Sequence, residues 1–393
     1  MTTKPLGFNT ACKYLLLLFT VCTFALPEIS GVIKILLIIA LFINLYTTSF
    51  RIRKSYYLLW SLILICYTLL SVIYSDDVFW SAMGFQAFFK LLILGILLSE
   101  FLSKTDDGIY FALVSLAIAG GTLLLRIGVE FYLSGGASVE RLAFSSLNAN
   151  DIGLKAAICI LAFLEIRKKV PYKYLFYLIA ALLIGVIILT GSRKALFLLL
   201  VGIAVTAVLA STTKVKLIRN MVLACMLLGI SVYLVMNIDF LYQAVGVRLE
   251  GIVNAIMGEG HIDASTAERM VLIDTGLKLW EESPVLGHGI NTFTPLAGFG
   301  LYAHNNYIEE GVGMGIVGVF IWYTIYPFLF YRSFKSVIKP MAFSIILLMP
   351  WLDVGLVSYM EDYLHIIFAI LFASSVLPKE DKESGQIMTY SWP

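Results

Sequence analysis

Apolar runs of membrane-spanning length recur along almost the whole chain, and no other feature restricts its fold so strongly. A helix needs roughly 20 mostly apolar residues, within a range of about 17 to 25, to cross the hydrocarbon core of a bilayer. Such runs fall near residues 10–27, 32–50, 57–74, 82–102, 109–133, 152–166, 173–190, 195–211, 221–237, 311–331, 340–357 and 361–377. They predict an all-α, polytopic membrane protein with about twelve transmembrane helices. Composition agrees: 60% of residues are hydrophobic and 14% charged, with a mean hydropathy of +0.90, which excludes an ordinary soluble domain. The first run leads into the second without a distinct small-residue cleavage site, so no cleaved signal peptide is expected. Cys12, Cys22, Cys66, Cys159 and Cys225 lie in or beside apolar runs, which points to apolar thiols rather than a disulfide framework.

Orientation follows from where lysine and arginine gather in short loops. Alternate connections carry RIRK (51–54), Lys104, RKKVPYK (167–173), KVKLIR (214–219) and RSFKSVIK (332–339), and these are expected on the cytoplasmic side with both termini. The connections between them, including SDDVFW, 134–151, GSRK, 238–310 and SYMED, then face outward. The chain divides into nine helices over 1–237, a large periplasmic loop over 238–310, three helices over 311–377 and a cytoplasmic tail over 378–393. Within the large loop, RLEGIVNAIMG (248–258) and STAERMVLIDTGLKLWEESP (265–284) space their apolar residues as surface helices do. Ser265 or Thr266 ahead of Glu268 marks a helix start, and GHGINTF reads as a glycine-rich turn.

The outward side collects the chemistry. LYAHNNYIEEGVGMGIVGVF (301–320) joins His304, Asn305, Asn306, Glu309 and Glu310 to a membrane helix through Gly311, Gly313, Gly315 and Gly318. His304 is a candidate general base, because an imidazole can take a proton from a hydroxyl at neutral pH; its bland alternative is a cap on the following helix. Arg141, Arg193, Arg248 and Arg269 are the outward arginines, and Arg193 sits in a connection consisting of little more than TGSRK. Each arginine alone is as well explained by snorkelling to lipid phosphate. Together they suit a lipid-linked pyrophosphate, since the guanidinium fork matches phosphate geometry and opposes charge that grows as the pyrophosphate leaves. Neither metal-ligand spacing nor a Walker-type glycine loop is present, so no metal or nucleotide cofactor is expected and the donor must arrive already activated. Among intramembrane charges, Arg126 and Glu130 are spaced to pair with each other, whereas Lys90 has no evident partner. Glu309 and Glu310 are expected to orient neighbouring cations, and His365 to pack in its apolar run.

RLAFSSLNANDIG (141–153), LTGSRKALF (189–197), ERMVLIDTGLKLWEESPVLGHGINTF (268–293) and AHNNYIEEGVGMGIVG (303–318), in that order, resemble the superfamily of O-antigen polymerases and O-antigen ligases. The resemblance covers roughly residues 140–320. It implies a metal-independent membrane glycosyltransferase of the bacterial inner membrane, acting on its periplasmic face with no separate cofactor. The donor would be an undecaprenyl-pyrophosphate-linked glycan. Arg193, Arg269 and His304 occupy the positions of the family's functional residues, and Arg141 and Arg248 also match. Lys194, Asn305 and Tyr302 are added as expected contacts to pyrophosphate or glycan.

A polymerase adds the growing glycan to the next lipid-linked repeat unit, whereas a ligase moves it onto a lipid A core sugar. Ligases often carry a second histidine just before the His-Asn pair, where this chain has Tyr302-Ala303, and polymerase is the reading favoured. Membrane lipid and a chain-length regulator are further expected partners, and no nucleic acid is. A transporter of lipid-linked oligosaccharide is the alternative from another class, although no clear internal repeat supports it.

Overall fold

The computed structural model describes residues 6–48, 52–133, 148–238, 242, 246 and 264–376, and these are helical with no strand. The elements are α1 (Leu6–Ala25), α2 (Pro27–Thr48), α3 (Tyr56–Ile73), α4 (Val78–Lys104), α5 (Gly108–Leu133), α6 (Ala149–Ile166), α7 (Lys173–Thr190), α8 (Arg193–Leu209) and α9 (Lys214–Asn237). After the 238–263 stretch come α10 (Ala264–Glu282), α11 (Phe293–Ala297), α12 (Asn306–Tyr323), α13 (Ile325–Ser333), α14 (Lys339–Leu352) and α15 (Asp362–Val376). Each apolar run of the sequence overlaps a helix. Among the described residues, eight helical stretches are long and apolar enough to cross a membrane: α1 to α5, α7, α9 and the continuous α12–α13. The count of twelve is reached only by adding α6, α8, α14 and α15, which are shorter or carry more charge. The expected surface helix over 248–258 lies outside the described residues.

Several helices expose one apolar side and bury the other, as lipid contact requires. On α2, for instance, Ile35, Ile39 and Phe42 are exposed while Leu37 and Leu41 are buried. By contrast α6 is buried along nearly its whole length and forms the middle of the bundle. An aromatic cluster holds the two halves of the chain together: Trp60 of α3, Phe88 of α4, Tyr359, and His365 and Phe368 of α15 pack around Trp322 of α12. His365 is fully buried with its Nε2 against the Tyr359 carbonyl at 2.8 Å, in keeping with the packing role expected of it.

Several charges inside the bundle are paired. Arg126 donates to Glu130, as the i, i+4 spacing predicts, and to Glu28. Lys34 of α2 pairs with Asp362 of α15, and Lys155 with Asp151 at 2.7 Å within α6. Lys90 is half-buried, and no hydrogen bond or ion pair joins it to the described residues.

The glycines of α12 turn out to serve a break. Gly315 has φ 61° and ψ −172°, a conformation closed to residues with a Cβ, and it interrupts the helical backbone. The loop after α10 fills the gap. His288 and Gly289 donate backbone N–H groups to the carbonyls of Val312 and Gly313 at 2.8 and 2.9 Å, while Ile316 donates to Pro284 at 2.9 Å. Tyr67 of α3 donates its hydroxyl to the Met314 carbonyl at 2.7 Å. Irregular backbone at membrane depth is tolerable where protein satisfies its polar groups, and here the loop and Tyr67 do so.

Candidate functional site

The TGSRK connection is a tight corner whose geometry is set residue by residue. Gly191 takes a left-handed conformation (φ 57°) to end α7, and Ser192 caps α8 by accepting from the Ala195 N–H. Gly153 of α6 lets this corner press inward: a Cβ there would stand 2.9 Å from both the Ser192 Cβ and the Thr190 Oγ1. Arg193 and Lys194 are therefore held in the first turn of α8 against the N-terminal turns of α6. The Lys194 amine extends to Gly355, where an added Cβ would meet it at 2.9 Å.

His304 is held from the other side. It has a left-handed backbone (φ 54°), uncommon for a residue with a side chain and a form of strain that clusters at functional positions. Glu309, 4% exposed, fixes the loop by accepting from the Ala303 N–H at 2.7 Å. Asn305, rather than His304, caps α12, its Oδ1 accepting from Tyr307 and Ile308 at 2.9 and 3.2 Å. The His304 ring is thus released from the capping role: it packs against Tyr302 with centroids 4.1 Å apart, and its nitrogens make no hydrogen bond to the described residues.

Asn306 ties this region to the chain after α14. Its Oδ1 accepts from the N–H groups of Ser358 and Tyr359 at 2.9 and 3.1 Å, and its Nδ2 donates to Glu310 at 2.6 Å and to the Tyr323 hydroxyl at 3.0 Å. Tyr323 and Ser358 in turn donate to the two oxygens of Asp353 at 2.9 and 2.6 Å. Glu309 and Glu310 thus hold backbone and amide groups; neither forms an ion pair among the described residues, contrary to the expectation that they orient cations. Asn305 accepts the first-turn N–H groups of α12, and Glu309 reaches back past this cap to the Ala303 N–H in the preceding loop.

These segments enclose a cavity of about 390 Å³ lined by the start of α6 (Asn148, Asn150, Asp151), Lys194, Asn291 and Thr294, Tyr302, His304 and Glu309, and the stretch from Gly355 to Glu361. Burial lowers the His304 pKa to about 4, with Arg269 and Lys194 adding to the effect. The positive end of α12 acts in the same direction, and the ring is a neutral imidazole at physiological pH. Arg193 and Arg269 do not line the cavity, but both act electrostatically on Lys194, so the cations form one group beside His304.

His304, Lys194 and Tyr302 are therefore brought together around one space, with Arg193 and Arg269 close behind. Asn305 is committed to its cap and does not line that space. Arg141 and Arg248 lie outside the described residues. Asp151, Glu361, Asn150, Asn291 and Tyr359 also line the cavity, although the sequence does not mark them as site residues. Asp151 and Asn150 lay within a quoted motif and Glu361 within the SYMED loop, yet the two carboxylates are 210 positions apart and no local spacing connects them. Among the described residues no three His, Cys, Asp or Glu side chains gather as a metal site would require.

A multi-helix membrane protein with a cationic, histidine-bearing cavity at one end of its bundle is the class defined by these features. Residues 178–323 match the family model described as O-Antigen ligase, and the match supports the superfamily of O-antigen polymerases and ligases. The matched stretch runs from α7 through α12 and contains Arg193, Lys194, Arg269, Tyr302 and His304. Together with the eight apolar helices it supports a multi-pass bacterial membrane protein. No curated protein matches the chain.

Proposed function

We propose that the protein is a surface-polysaccharide polymerase of the bacterial inner membrane, working at its periplasmic face. It transfers a growing glycan from undecaprenyl pyrophosphate to a sugar hydroxyl of the next lipid-linked repeat unit. In this reading an acceptor hydroxyl loses its proton to His304 while its oxygen bonds to the anomeric carbon of the donor. The bond from that carbon to the pyrophosphate oxygen breaks, and the electron pair leaves with the pyrophosphate. Attack opposite the leaving group inverts the anomeric centre. Arg193, Arg269 and Lys194 oppose the charge that gathers on the leaving group, the kind of stabilisation worth about 100- to 1,000-fold for a single donor.

The observation that carries this reading is the His304 ring: neutral, without a hydrogen-bond partner among the described residues, and facing a cavity flanked by cations. The coarser assignment, a glycosyltransferase-like enzyme of lipopolysaccharide biosynthesis, has independent support from the family match. The decisive test uses purified protein with lipid-linked repeat units. New glycosidic bonds should form, His304→Ala should abolish them, and Arg193→Lys should be nearly as damaging because a point charge does not reproduce the guanidinium fork. Wild-type chain lengths from His304→Ala would remove the base from the mechanism. Because the family description names a ligase, transfer to a lipid A core is the second reading. Product formed with lipid A core but not with lipid-linked repeat would select it, and no product with either acceptor would favour transport.

A further inference from the structure

His288 does not line the cavity beside His304, yet it stands where three elements meet. Its backbone N–H donates to the Val312 carbonyl at the break in α12. Its carbonyl accepts from the Asp76 N–H at 3.0 Å and from the Ser75 hydroxyl at 2.9 Å, both in the α3–α4 connection. The buried ring reaches the third element as well: Nε2 faces the Leu279 carbonyl of α10 at 2.7 Å, while Nδ1 faces the Asp76 carboxylate. A carbonyl can only accept, so Nε2 carries a proton, and opposite a carboxylate Nδ1 carries one too. A neutral imidazole has a single N–H and would turn a bare lone pair towards one of these oxygens, so the geometry calls for the imidazolium. Leu279 lies in the last turn of α10, whose carbonyls lack partners within the helix, and a cation is favoured at that end. Glu282 of α10 adds a further negative charge near the ring. Asp77 is occupied in capping α4 through the Trp80 N–H, and on α12 Glu309 and Glu310 bond to Ala303 and Asn306.

We propose that His288 is a positioning residue for transfer: as a doubly protonated strut between Leu279 and Asp76 it fixes the 283–292 loop, and with it the place of Asn291 in the cavity wall. The proposal rests on the glycosyl-transfer reading above. Asn291, three residues on, has a left-handed backbone (φ 66°), lines the cavity and donates to the Trp80 carbonyl at 3.4 Å. Between the two, Ile290 is fully buried and donates its N–H to the Ser71 hydroxyl at 3.2 Å. The loop is pressed so closely against the α3–α4 connection that a Cβ on Gly289 would stand 2.2 Å from the Ser75 hydroxyl oxygen. Movement at His288 is therefore passed on to Asn291 rather than absorbed. Burial pushes the His288 pKa down, but the Leu279 carbonyl and Asp76 outweigh it and hold the pKa above the ordinary histidine value. A raised pKa leaves the strut complete below that ordinary value, and the strut is lost as pH rises through the raised one. The Asp76 side chain is 57% exposed, so the proton can exchange with the surrounding water. Transfer then declines on the alkaline side as the wall around Asn291 loosens.

The test follows one proton through three readouts. Full-length protein in lipid nanodiscs, with isotope-labelled histidines, is titrated by NMR, and the ring signal absent from His288→Gln identifies His288. Deuterium exchange of the 283–292 backbone amides and transfer from lipid-linked repeat units are measured over the same pH range. The ring should keep its second proton above the ordinary histidine range. Amide exchange, corrected for the intrinsic effect of pH, should rise as that proton leaves, and transfer should fall on an alkaline limb at the same pH. Asp76→Asn keeps a partner of the same shape but removes its charge, so titration, exchange and limb should move together, about one pH unit or more lower. Lys194 also loses its charge at alkaline pH, but a limb due to Lys194 has no reason to follow Asp76. His288→Gln should lower transfer about 10- to 100-fold by misplacing the wall. Transfer at the wild-type rate in His288→Gln would overturn the proposal, and so would a limb that stays in place while Asp76→Asn moves the titration. Asp76 is exposed, so Asp76→Asn decides the matter even if His288→Gln folds poorly. A wild-type protein whose amide exchange follows His288 but which forms no product would instead sink the glycosyl-transfer reading itself.

Discussion

At the scale of single residues, His304 unites two properties that usually conflict in a catalytic base. Its low pKa keeps the ring neutral, and so able to accept a proton, but an imidazole of pKa about 4 is a weak base. Donor binding resolves the conflict. A pyrophosphate beside Arg269 and Lys194 brings negative charge to the cations that depress the ring, which raises its pKa and strengthens the base only when a donor is present. The acid limb of kcat reports the complex and that of kcat/KM the free enzyme, so the limb in kcat should lie at higher pH. Removing a cation has the same sign: Arg269→Gln should move the kcat/KM acid limb upward even though its overall rate falls. Limbs at the same pH in kcat and kcat/KM, and unmoved by Arg269→Gln, would remove this control. The residue types of the site were legible in the sequence because arginine and histidine are scarce in outward loops. Asn305 is also legible as a cap, since asparagine is favoured just before a helix, but the left-handed backbone of His304 leaves no compositional trace.

At the scale of elements, the broken helix α12 shows where hydropathy stops being informative. A run of apolar residues predicts a span but is blind to φ, and the glycines at 311, 313, 315 and 318 read equally well as a smooth small-residue face. Their neighbours show what they permit. A Cβ on Gly315 would stand 2.2 Å from the Val285 carbonyl oxygen, and one on Gly311 would stand 2.5 Å from the Trp280 ring. The loop that carries His288 and Asn291 is thereby laid against α12 and reaches the cavity wall. The stretch after α14 escaped in a related way. Hydropathy extends a span through residue 357, but α14 ends at Leu352, just after Pro350, and irregular chain from Gly355 to Glu361 forms cavity wall instead. A paired substitution tests the break. Gly315→Ala and Gly298→Ala both force alanine to a positive φ, +61° and +73°, yet only Gly315 lacks room, since nothing lies within 4 Å of a Cβ on Gly298. Gly298→Ala should cost about 1–2 kcal/mol of stability. Gly315→Ala should cost several kcal/mol and displace the loop. Equal shifts in the thermal midpoint of the two purified variants would count against a packed break at Gly315.

At the scale of the whole molecule, the site depends on bringing the first helices of the chain to the last. The cavity wall at Glu361 immediately precedes α15, and α15 is tied to α2 by the Lys34–Asp362 ion pair, whose two side chains are each 15% exposed. An ion pair so far out of water is weak evidence for net stability, because desolvation offsets most of the attraction. Breaking it is another matter, since the remaining charge is stranded. Lys34→Met alone should cost about 3–5 kcal/mol, and Asp362→Leu alone a similar amount. The double variant, with no charge left to strand, should recover most of that loss. If the pair served stability alone, transfer would recover with it. A part for the Glu361 wall in transfer predicts a different result: without Lys34 and Asp362 the electrostatic surroundings of Glu361 change, so transfer should stay below wild type while the melting temperature returns. Thermal midpoints and glycosidic product measured on the two single variants and the double variant distinguish these outcomes. Full recovery of both quantities would reduce the pair to a structural tie between the ends of the chain.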